Sequence, residues 1–235
     1  MDNVHEQPEN RSRSGIFQDR DDAGDHLARM LHPFFAGDQR SVVLAVPSGG
    51  VPVGLVLSRR LDLPFDIILV RKVQIPWNTE AGFGAIGFRG EALLNRQMVD
   101  SLGLSEEQIR EQIEKTRYEL EERNSAFRGD NPPPDLTGKT AILTDDGLAS
   151  GYTMLAAMQT VRELGASRIV LALPTAPRRS VEHVAPSADS VYAVQVKEGG
   201  PFAVAEAYRN WRDLSRDEVA KMLMDVPLFS SRHGA

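Results

Sequence analysis

Two short apolar runs with a helical stretch between them constrain the fold of this chain more than any other feature. The runs "VVLAV" (42–46) and "DIILV" (66–70) are rich in β-branched residues, and residues 51–61 between them have the character of a helix. Nearly continuous apolar runs of this length are typical of strands that are buried on both faces of a parallel sheet. The two runs therefore predict a strand, a crossover helix and a second parallel strand.

The same alternation continues in the second half of the chain. Predicted strands at 140–144, 168–173 and 190–194 alternate with predicted helices at 151–164 and 178–184. Repeated strand and helix units of this kind favour an α/β fold with helices on both faces of the sheet. We therefore predict a doubly wound, mostly parallel sheet.

Composition excludes several classes of function. The 235 residues carry a formal net charge of −6, which argues against a protein that coats nucleic acid or an anionic membrane. The chain contains no cysteine, so disulfides, thiolate metal sites and cysteine nucleophiles are excluded. Its five histidines are scattered, and their spacing does not indicate a zinc site. We expect small-molecule partners, with no nucleic acid and no membrane among them.

The two ends of the chain are polar and differ from the segment between them. Residues 1–15 lack the apolar core of a signal peptide, so we expect a flexible tail and a cytoplasmic location. Residues 16–225 are predicted to form one domain, and residues 226–235 a second flexible tail. Residues 41–58 are uncharged, but the prolines and glycines inside them favour a strand, a turn and a helix over a membrane span.

The stretch "TAILTDDGLASGYTML" (140–155) places two adjacent acids between a predicted strand and a predicted helix. In open α/β sheets ligands bind beyond the carboxyl ends of the strands, and a helix start there offers unpaired N–H groups to an anion. Residues 149–153 would form such an anion cradle, in which Gly151 allows close approach of the backbone. Asp145 and Asp146 would suit a phosphate carried by a sugar, because sugar hydroxyls donate hydrogen bonds to carboxylates. An ordinary strand-to-helix turn capped by acids is the alternative interpretation.

The segment "AILTDDGLASGYT" (141–153) resembles the phosphoribosyl pyrophosphate (PRPP) motif of type I phosphoribosyltransferases along its whole length. The resemblance implies that Asp145 and Asp146 are catalytic residues beside the ribose hydroxyls, where they also hold Mg²⁺ directly or through water. It further implies that the 5′-phosphate binds the loop formed by Ala149, Ser150, Gly151, Tyr152 and Thr153. The fold that the resemblance implies has a doubly wound sheet, a flexible loop and a small hood built from the chain ends.

Two further segments are similar to the same family. The segment "VPSGGVPVG" (46–54) lies where the family has its pyrophosphate loop. The segment "LVRK" (69–72) ends the second predicted strand, and the resemblance implies that Arg71 and Lys72 are catalytic residues that stabilise the leaving pyrophosphate. The residues of the first segment that the resemblance assigns to pyrophosphate are Ser48, Gly49 and Gly50.

The segment "PFAVAEAYRNWRDLSRDEV" (201–219) is similar to the C-terminal part of a group of stand-alone predicted phosphoribosyltransferases whose substrate is unassigned. Ser48 departs from the pattern of this group, in which a basic residue commonly stands at that position. The residues therefore support binding of the 5′-phosphate more strongly than binding of pyrophosphate.

The glycine-rich segment "GFGAIG" (82–87) matches a dinucleotide-binding pattern in form but not in context. It begins well after a predicted strand and does not open a helix, so we do not assign it to a nucleotide. We predict that it belongs to a hairpin or a mobile flap over residues 74–90, with its glycines as hinges.

The resemblance implies an enzyme that displaces pyrophosphate from PRPP with a nitrogen nucleophile, as in the salvage of nucleobases. PRPP and a small acceptor would be its partners, Mg²⁺ its cofactor, and a homodimer an assembly common in the family. Two alternatives stay open. One is a regulatory module that binds PRPP or a nucleotide without catalysis, which the departure at Ser48 favours. The other is a phosphorylase or hydrolase acting on a ribose phosphate or a nucleotide.

Overall fold

The computed structural model describes residues 2–88 and 90–229, apart from the side chains of Thr79 and Glu80. Within these residues the helices are α1 (Arg20–Phe35), α2 (Gly50–Leu61), α3 (Arg96–Leu102), α4 (Glu106–Arg128), α5 (Tyr152–Glu163), α6 (Arg178–Val184) and α7 (Arg216–Leu223). The strands are β1 (Val4–Glu6), β2 (Ser41–Ala45), β3 (Phe65–Ile67), β4 (Val70–Ile75), β5 (Asn78–Gly87), β6 (Leu93–Leu94), β7 (Thr140–Thr144), β8 (Arg168–Pro177) and β9 (Ser190–Lys197). Of the helices that the structure describes, none combines the length and the apolar character needed to cross a bilayer.

The central sheet confirms the predicted architecture. It has six strands in the order β1-β9-β8-β7-β2-β3, and every neighbouring pair is parallel. Successive residues of a strand face opposite sides, so Val43 lies in a core with α1 and α2 while Val42 lies in a core with α5 and α6. The sheet is therefore doubly wound. Because Ala45 pairs with Thr144, the turns that follow β2 and β7 meet at one edge of the sheet.

β4, β5 and β6 form a separate antiparallel ribbon. This ribbon is the hairpin that the glycine-rich segment predicts, and Phe83 and Ile86 anchor it in the core with no exposed surface. Mobility of residues 74–90 remains a prediction, and Arg89 within that range lies outside the described residues.

The prediction that Arg71 and Lys72 end a strand of the parallel sheet is wrong. β3 ends at Ile67, and the chain then enters the ribbon, where both basic residues lie in β4. The apolar run of residues 66–70 continues through the change of partner strand, so the sequence pattern gives no sign of it.

Most of the N-terminal segment, predicted to be a flexible tail, is part of the domain. β1 adds a parallel strand to the edge of the sheet beside β9. The Asn3 side chain donates hydrogen bonds to the carbonyls of Ala185 and Ala188, and the Asn10 side chain donates to the carbonyl of Val194. The prediction fails because these long-range contacts order a polar segment that has no apolar run of its own.

The predicted C-terminal tail, residues 226–235, also belongs to the domain as far as residue 229. Leu228 and Phe229 are 4% and 5% exposed, and Leu228 forms a bridge with Phe65 of β3. These two apolar side chains pack this segment against the domain. The polar residues that follow them make the segment as a whole look polar, which is why the sequence predicts a tail. Residues 230–235 lie outside the described part of the chain.

The segment that precedes α1 pairs with a segment near residue 208 through backbone hydrogen bonds. The backbone N–H of Phe17 donates to the carbonyl of Ala207, and the N–H of Arg209 donates to the carbonyl of Phe17, both at 2.9 Å. Residues 204–212, which we call the hood segment, are thereby fixed beside the start of α1.

Candidate functional site

β7 ends at Thr144, and the two predicted acids follow it directly at the carboxyl edge of the sheet. The backbone N–H of Asp146 donates to Oδ1 of Asp145 at 2.8 Å, and the two carboxyl groups also interact with each other. Burial raises the pKa of Asp145 well above its ordinary value of 3.8, and the charge of Asp146 raises it further. A half-buried acid pair of this kind, which we call the acid turn, is stabilised by a cation or by hydrogen-bond donors, and a ligand can supply either.

Asp146 has a cationic partner within the protein that the sequence analysis did not identify. Arg20 of α1 contacts Oδ2 of Asp146 through Nε at 2.9 Å and Nη2 at 2.8 Å. Burial raises the pKa of Asp146, and the Arg20 guanidinium opposes that rise. In the sequence, Arg20 stands among acids in "QDRDDAG", which gave no sign of a partner 126 positions away.

The predicted anion cradle, residues 149–153, lies at the start of α5. Gly151 has a φ of +91°, which favours glycine, and α5 begins at the next residue. Ser180 of α6 donates a hydrogen bond to the carbonyl of Ala149 and so holds the cradle against a second helix. Because the first N–H groups of a helix have no acceptor within it, this end of α5 can bind an anion. The structure thus brings the cradle and the acid turn to the same edge of the sheet.

The turn predicted to hold pyrophosphate packs directly on the acids. A Cβ atom on Gly49 would lie 1.8 Å from Oδ2 of Asp146, and a Cβ atom on Gly50 would lie 2.8 Å from the carbonyl oxygen of Thr144. The Pro47–Ser48 peptide bond in the same turn is cis. Glycine at both positions is therefore what allows this turn, the glycine turn of residues 48–50, to touch the acid turn.

Replacing Gly49 by alanine should displace the acid turn and weaken ligand binding. The new methyl group would overlap Oδ2 of Asp146, so the carboxylate has to move. Loss of one hydrogen bond to a charged group costs about 1.5–3 kcal/mol, or roughly 10- to 150-fold in affinity, and calorimetry with PRPP and Mg²⁺ measures the loss. Gly37→Ala is the control, because a Cβ atom there has nothing within 4 Å and Gly37 precedes β2, at the opposite end of the strand from the glycine turn. Equal PRPP affinity in the two variants would contradict the placement of the ligand at the acid turn.

Asp145→Asn should make the ligand-free protein more stable, by about 0.5–2 kcal/mol. Asparagine can still accept the hydrogen bond from the N–H of Asp146, and it removes a charge that burial disfavours. Because the pKa of Asp145 is raised in the folded state, ionised Asp145 destabilises the fold near neutral pH, and this penalty fades as the pH falls through the folded pKa. Urea unfolding should therefore show a larger difference between variant and wild type near pH 7 than at about pH 5. A variant less stable than wild type near pH 7 would refute this reasoning.

Arg71 and Lys72 lie on opposite faces of β4. Arg71 forms an ion pair with Glu119 of α4. The Lys72 side chain covers Gly82 of β5, where a Cβ atom would lie 2.1 Å from Cγ of the lysine. The role of both residues in holding pyrophosphate stays a prediction, and the pair with Glu119 already offsets part of the charge of Arg71.

The hood segment contacts the acid turn through two residues that the sequence analysis did not assign to the site. The Tyr208 hydroxyl donates a hydrogen bond to the backbone carbonyl of Asp146. Val204 packs against Gly147, and a Cβ atom on Gly147 would lie only 2.6 Å from Cγ1 of Val204. In the sequence, the aromatic residues of "AEAYRNW" could have indicated the Tyr208 contact, because buried tyrosine and tryptophan usually direct a polar atom to a partner.

A cleft of about 600 Å³ opens between the start of α1, the hood segment and α7. Its wall includes Arg20, Asn210, Trp211 and Met222. Because Arg20 also contacts Asp146, the cleft adjoins the acid turn. A wall with an indole ring and an amide suits a planar molecule that carries hydrogen-bonding groups.

The acid turn matches the way proteins hold Mg²⁺ together with a phosphate substrate. In the described part of the chain, no cluster of three or more His, Asp or Glu side chains is present that could hold a metal ion by itself. Mg²⁺ typically binds one or two carboxylates and takes water or substrate phosphates as its other ligands. The adjacent carboxyl groups of Asp145 and Asp146, whose ionised forms burial disfavours, fit that donor set.

Comparison with known proteins identifies the family. The model of the phosphoribosyl transferase domain family matches residues 18–206. The crystal structure of TT1426 from Thermus thermophilus is similar, with 33% sequence identity and a TM-score of 0.73, over 89% of this chain and 98% of that one. The chain therefore belongs to the phosphoribosyl transferase domain family, which confirms the resemblance and the fold predicted from the sequence.

Two curated relatives come from Mycobacterium tuberculosis, strains H37Rv and CDC 1551. Their names give phosphoribosyl transferase as a provisional assignment. Each is 38% identical to this chain over 208 residues, which are 88% of this chain and 46% of the relative. The chain thus spans less than half the length of these relatives.

Proposed function

We propose that this chain transfers the ribose 5-phosphate group of PRPP to a nitrogen nucleophile and releases pyrophosphate. The observation that carries the proposal is that the acid turn both contacts the glycine turn and runs on into the anion cradle. Asp145 and Asp146 would bind the ribose hydroxyls, and the cradle would bind the 5′-phosphate. The glycine turn would bind the pyrophosphate group. One PRPP molecule would then contact all three loops.

In the proposed reaction a bond forms between the nucleophilic nitrogen and C1 of the ribose, and the bond between C1 and a pyrophosphate oxygen breaks. Pyrophosphate leaves with the bonding electrons, and the nitrogen gives up a proton. Positive charge develops on the ribose ring, which the carboxylates of the acid turn would stabilise while they hold the hydroxyls in place. Mg²⁺, when bound, would neutralise charge on the pyrophosphate group.

Among the described residues, the glycine turn of residues 48–50 has no cationic side chain of its own for pyrophosphate. Ser48 offers one neutral hydrogen bond at a position where the resemblance seen in the sequence implies a basic residue, and Arg71 is paired with Glu119. Backbone N–H groups of residues 48–50, together with Lys72 and bound Mg²⁺, would share the task, since consecutive N–H groups in a turn form an anion-binding concavity.

The acceptor that we propose is a nucleobase, bound in the cleft beside Arg20. The Trp211 ring and the Asn210 amide on its wall could pack on a planar ring and hydrogen-bond to its edge. A reaction with such an acceptor would belong to nucleotide salvage.

A regulatory module that binds PRPP without catalysis is the second candidate. The observations that favour it are Ser48 in place of a basic residue in the glycine turn and the ion pair that Arg71 forms with Glu119. Such a module would bind the ribose phosphate end of PRPP and leave pyrophosphate attached.

The two candidates differ in one assay. The protein is incubated with Mg²⁺, PRPP and one nucleobase at a time, and pyrophosphate release is measured. The transferase proposal expects release that depends on one nucleobase and disappears when Asp145 and Asp146 are both replaced by asparagine. Tight PRPP binding without release for any base would favour the regulatory module. No binding of PRPP would contradict both candidates.

A further inference from the structure

Arg20 occupies a position that the stability of its own helix does not explain. It is the first residue of α1, where the partial positive charge of the helix end disfavours a cation. Its side chain is 10% exposed, and a buried guanidinium costs free energy unless it is paired. The reason for an arginine here has to lie in its contacts.

Three groups surround the guanidinium. Nε and Nη2 contact the Asp146 carboxylate, and Nη1 donates to the carbonyl of Arg212 at 2.9 Å. The Trp211 ring lies against the guanidinium, with 3.9 Å between Cζ and the ring centroid. One side chain thus joins α1, the acid turn and the hood segment.

Asp146 is held from other sides as well. The Tyr208 hydroxyl donates to its backbone carbonyl, and Gly49 lies against Oδ2, the same oxygen that Arg20 contacts. Because Nε and Nη2 of Arg20 both contact Oδ2, they hold that oxygen in place and so limit rotation of the carboxylate. A carboxylate that is already oriented loses less freedom when a hydroxyl binds to it.

We infer that Arg20 is a positioning residue of the phosphoribosyl site, which orients Asp146 for the ribose and links the hood segment to that acid through Trp211. The inference rests on the proposed function, because it requires a ribose phosphate at the acid turn. It also predicts communication between the two places. A ligand on Asp146 changes the contacts of the guanidinium, and this change alters the surroundings of the indole ring.

The test uses the full chain with Trp77→Phe, which leaves Trp211 as its one tryptophan. Arg20→Gln removes the positive charge, and Arg20→Lys keeps it. Arg60→Gln is the matched control, because Arg60 forms a comparable ion pair with Asp25 that joins α1 to α2 on the surface. Ribose 5-phosphate and inorganic phosphate are titrated into each protein, with calorimetry for affinity and Trp211 fluorescence for the hood segment.

Arg20→Gln should weaken ribose 5-phosphate binding by about 10- to 100-fold, the range found when a residue that orients a metal-ligating side chain is removed. It should leave the affinity for inorganic phosphate unchanged, since phosphate needs only the cradle. The fluorescence change that ribose 5-phosphate causes in the parent protein should disappear. Arg20→Lys should retain part of the affinity, and Arg60→Gln all of it.

Several results would overturn the inference. If the parent protein binds ribose 5-phosphate and Arg20→Gln binds it as tightly as Arg60→Gln does, the inference fails while the proposed function stands. Equal losses for ribose 5-phosphate and phosphate would mean that Arg20 supports only the fold. Binding to the parent protein without a Trp211 signal would remove the link to the hood segment. A parent protein that binds no ribose 5-phosphate overturns the proposed function together with the inference. If Arg20→Gln does not fold, Arg20→Lys is compared with Arg60→Gln in the same titrations.

Discussion

The double variant Asp145→Asn/Asp146→Asn should bind PRPP in the presence of Mg²⁺ at least about 100-fold more weakly than the wild-type protein. Each carboxylate is proposed to accept a hydrogen bond from the ribose, and loss of a charged hydrogen bond costs about 1.5–3 kcal/mol. Two such losses exceed the roughly 2.8 kcal/mol that correspond to a factor of 100. The fold should survive, because burial disfavours the charge of Asp145 and asparagine can still accept the hydrogen bonds that the Asp146 N–H and Arg20 donate.

Calorimetry measures this loss, and circular dichroism shows whether the variant is folded. Asp25→Asn is the control, because it removes an acid whose partner, Arg60, lies on the surface between α1 and α2. Unchanged PRPP affinity in a folded double variant would show that the ribose does not bind at the acid turn.

Arg128→Met should lower the free energy of unfolding by about 3–5 kcal/mol, the usual loss when one partner of a buried ion pair is removed. Arg128, at the end of α4, is 4% exposed, and Asp66 of β3 is fully buried. The guanidinium binds the Asp66 carboxylate and donates to the carbonyls of Ile67 and Pro132, both at 2.8 Å. Without it, the Asp66 carboxylate loses the charge of Arg128 and two backbone carbonyls lose a donor.

Urea unfolding measures this change against an exposed pair of the same chemistry. Arg60→Met removes the partner of Asp25 on the surface, which should cost less than about 1 kcal/mol. The double variant Asp66→Leu/Arg128→Met should recover part of the loss, because both charges of the pair are then removed together. If Arg128→Met cost no more than Arg60→Met, the buried pair would not hold α4 to β3 as the contacts indicate.

The parts of the fold that follow from local pattern were predictable. The strand at Thr140–Thr144 and the helix at Arg178–Val184 have the predicted bounds, because β-branched runs and turn residues mark them in the sequence itself. The acid turn and the cradle were predictable for the same reason, since a single contiguous segment contains both. Their contact with the glycine turn follows because β2 and β7 are parallel neighbours, so the turns after them lie at the same edge of the sheet, where ligands bind.

The parts that depend on distant partners were not predictable in the same way. β1 is ordered by β9, which lies more than 180 positions further along the chain, and two of its own three residues are polar. Arg71 and Lys72 follow an apolar run that leaves the parallel sheet for the ribbon without a change in pattern. Arg20 joins the site only through the tertiary fold, and a charge beside three other charges resembles an ordinary solvated helix start. Side-chain partners of this kind require knowledge of which strand ends lie together.

The acid turn and the cradle are proposed to bind one ribose phosphate. This claim is tested by titrating ribose 5-phosphate into the isotope-labelled protein and mapping its position by NMR. We predict that the largest shifts of backbone amide signals fall within residues 145–153. PRPP with Mg²⁺ should add shifts in residues 48–50, because only PRPP carries pyrophosphate. Shifts confined to another surface, such as the pocket lined by Leu69, Pro133 and Leu164, would contradict the claim.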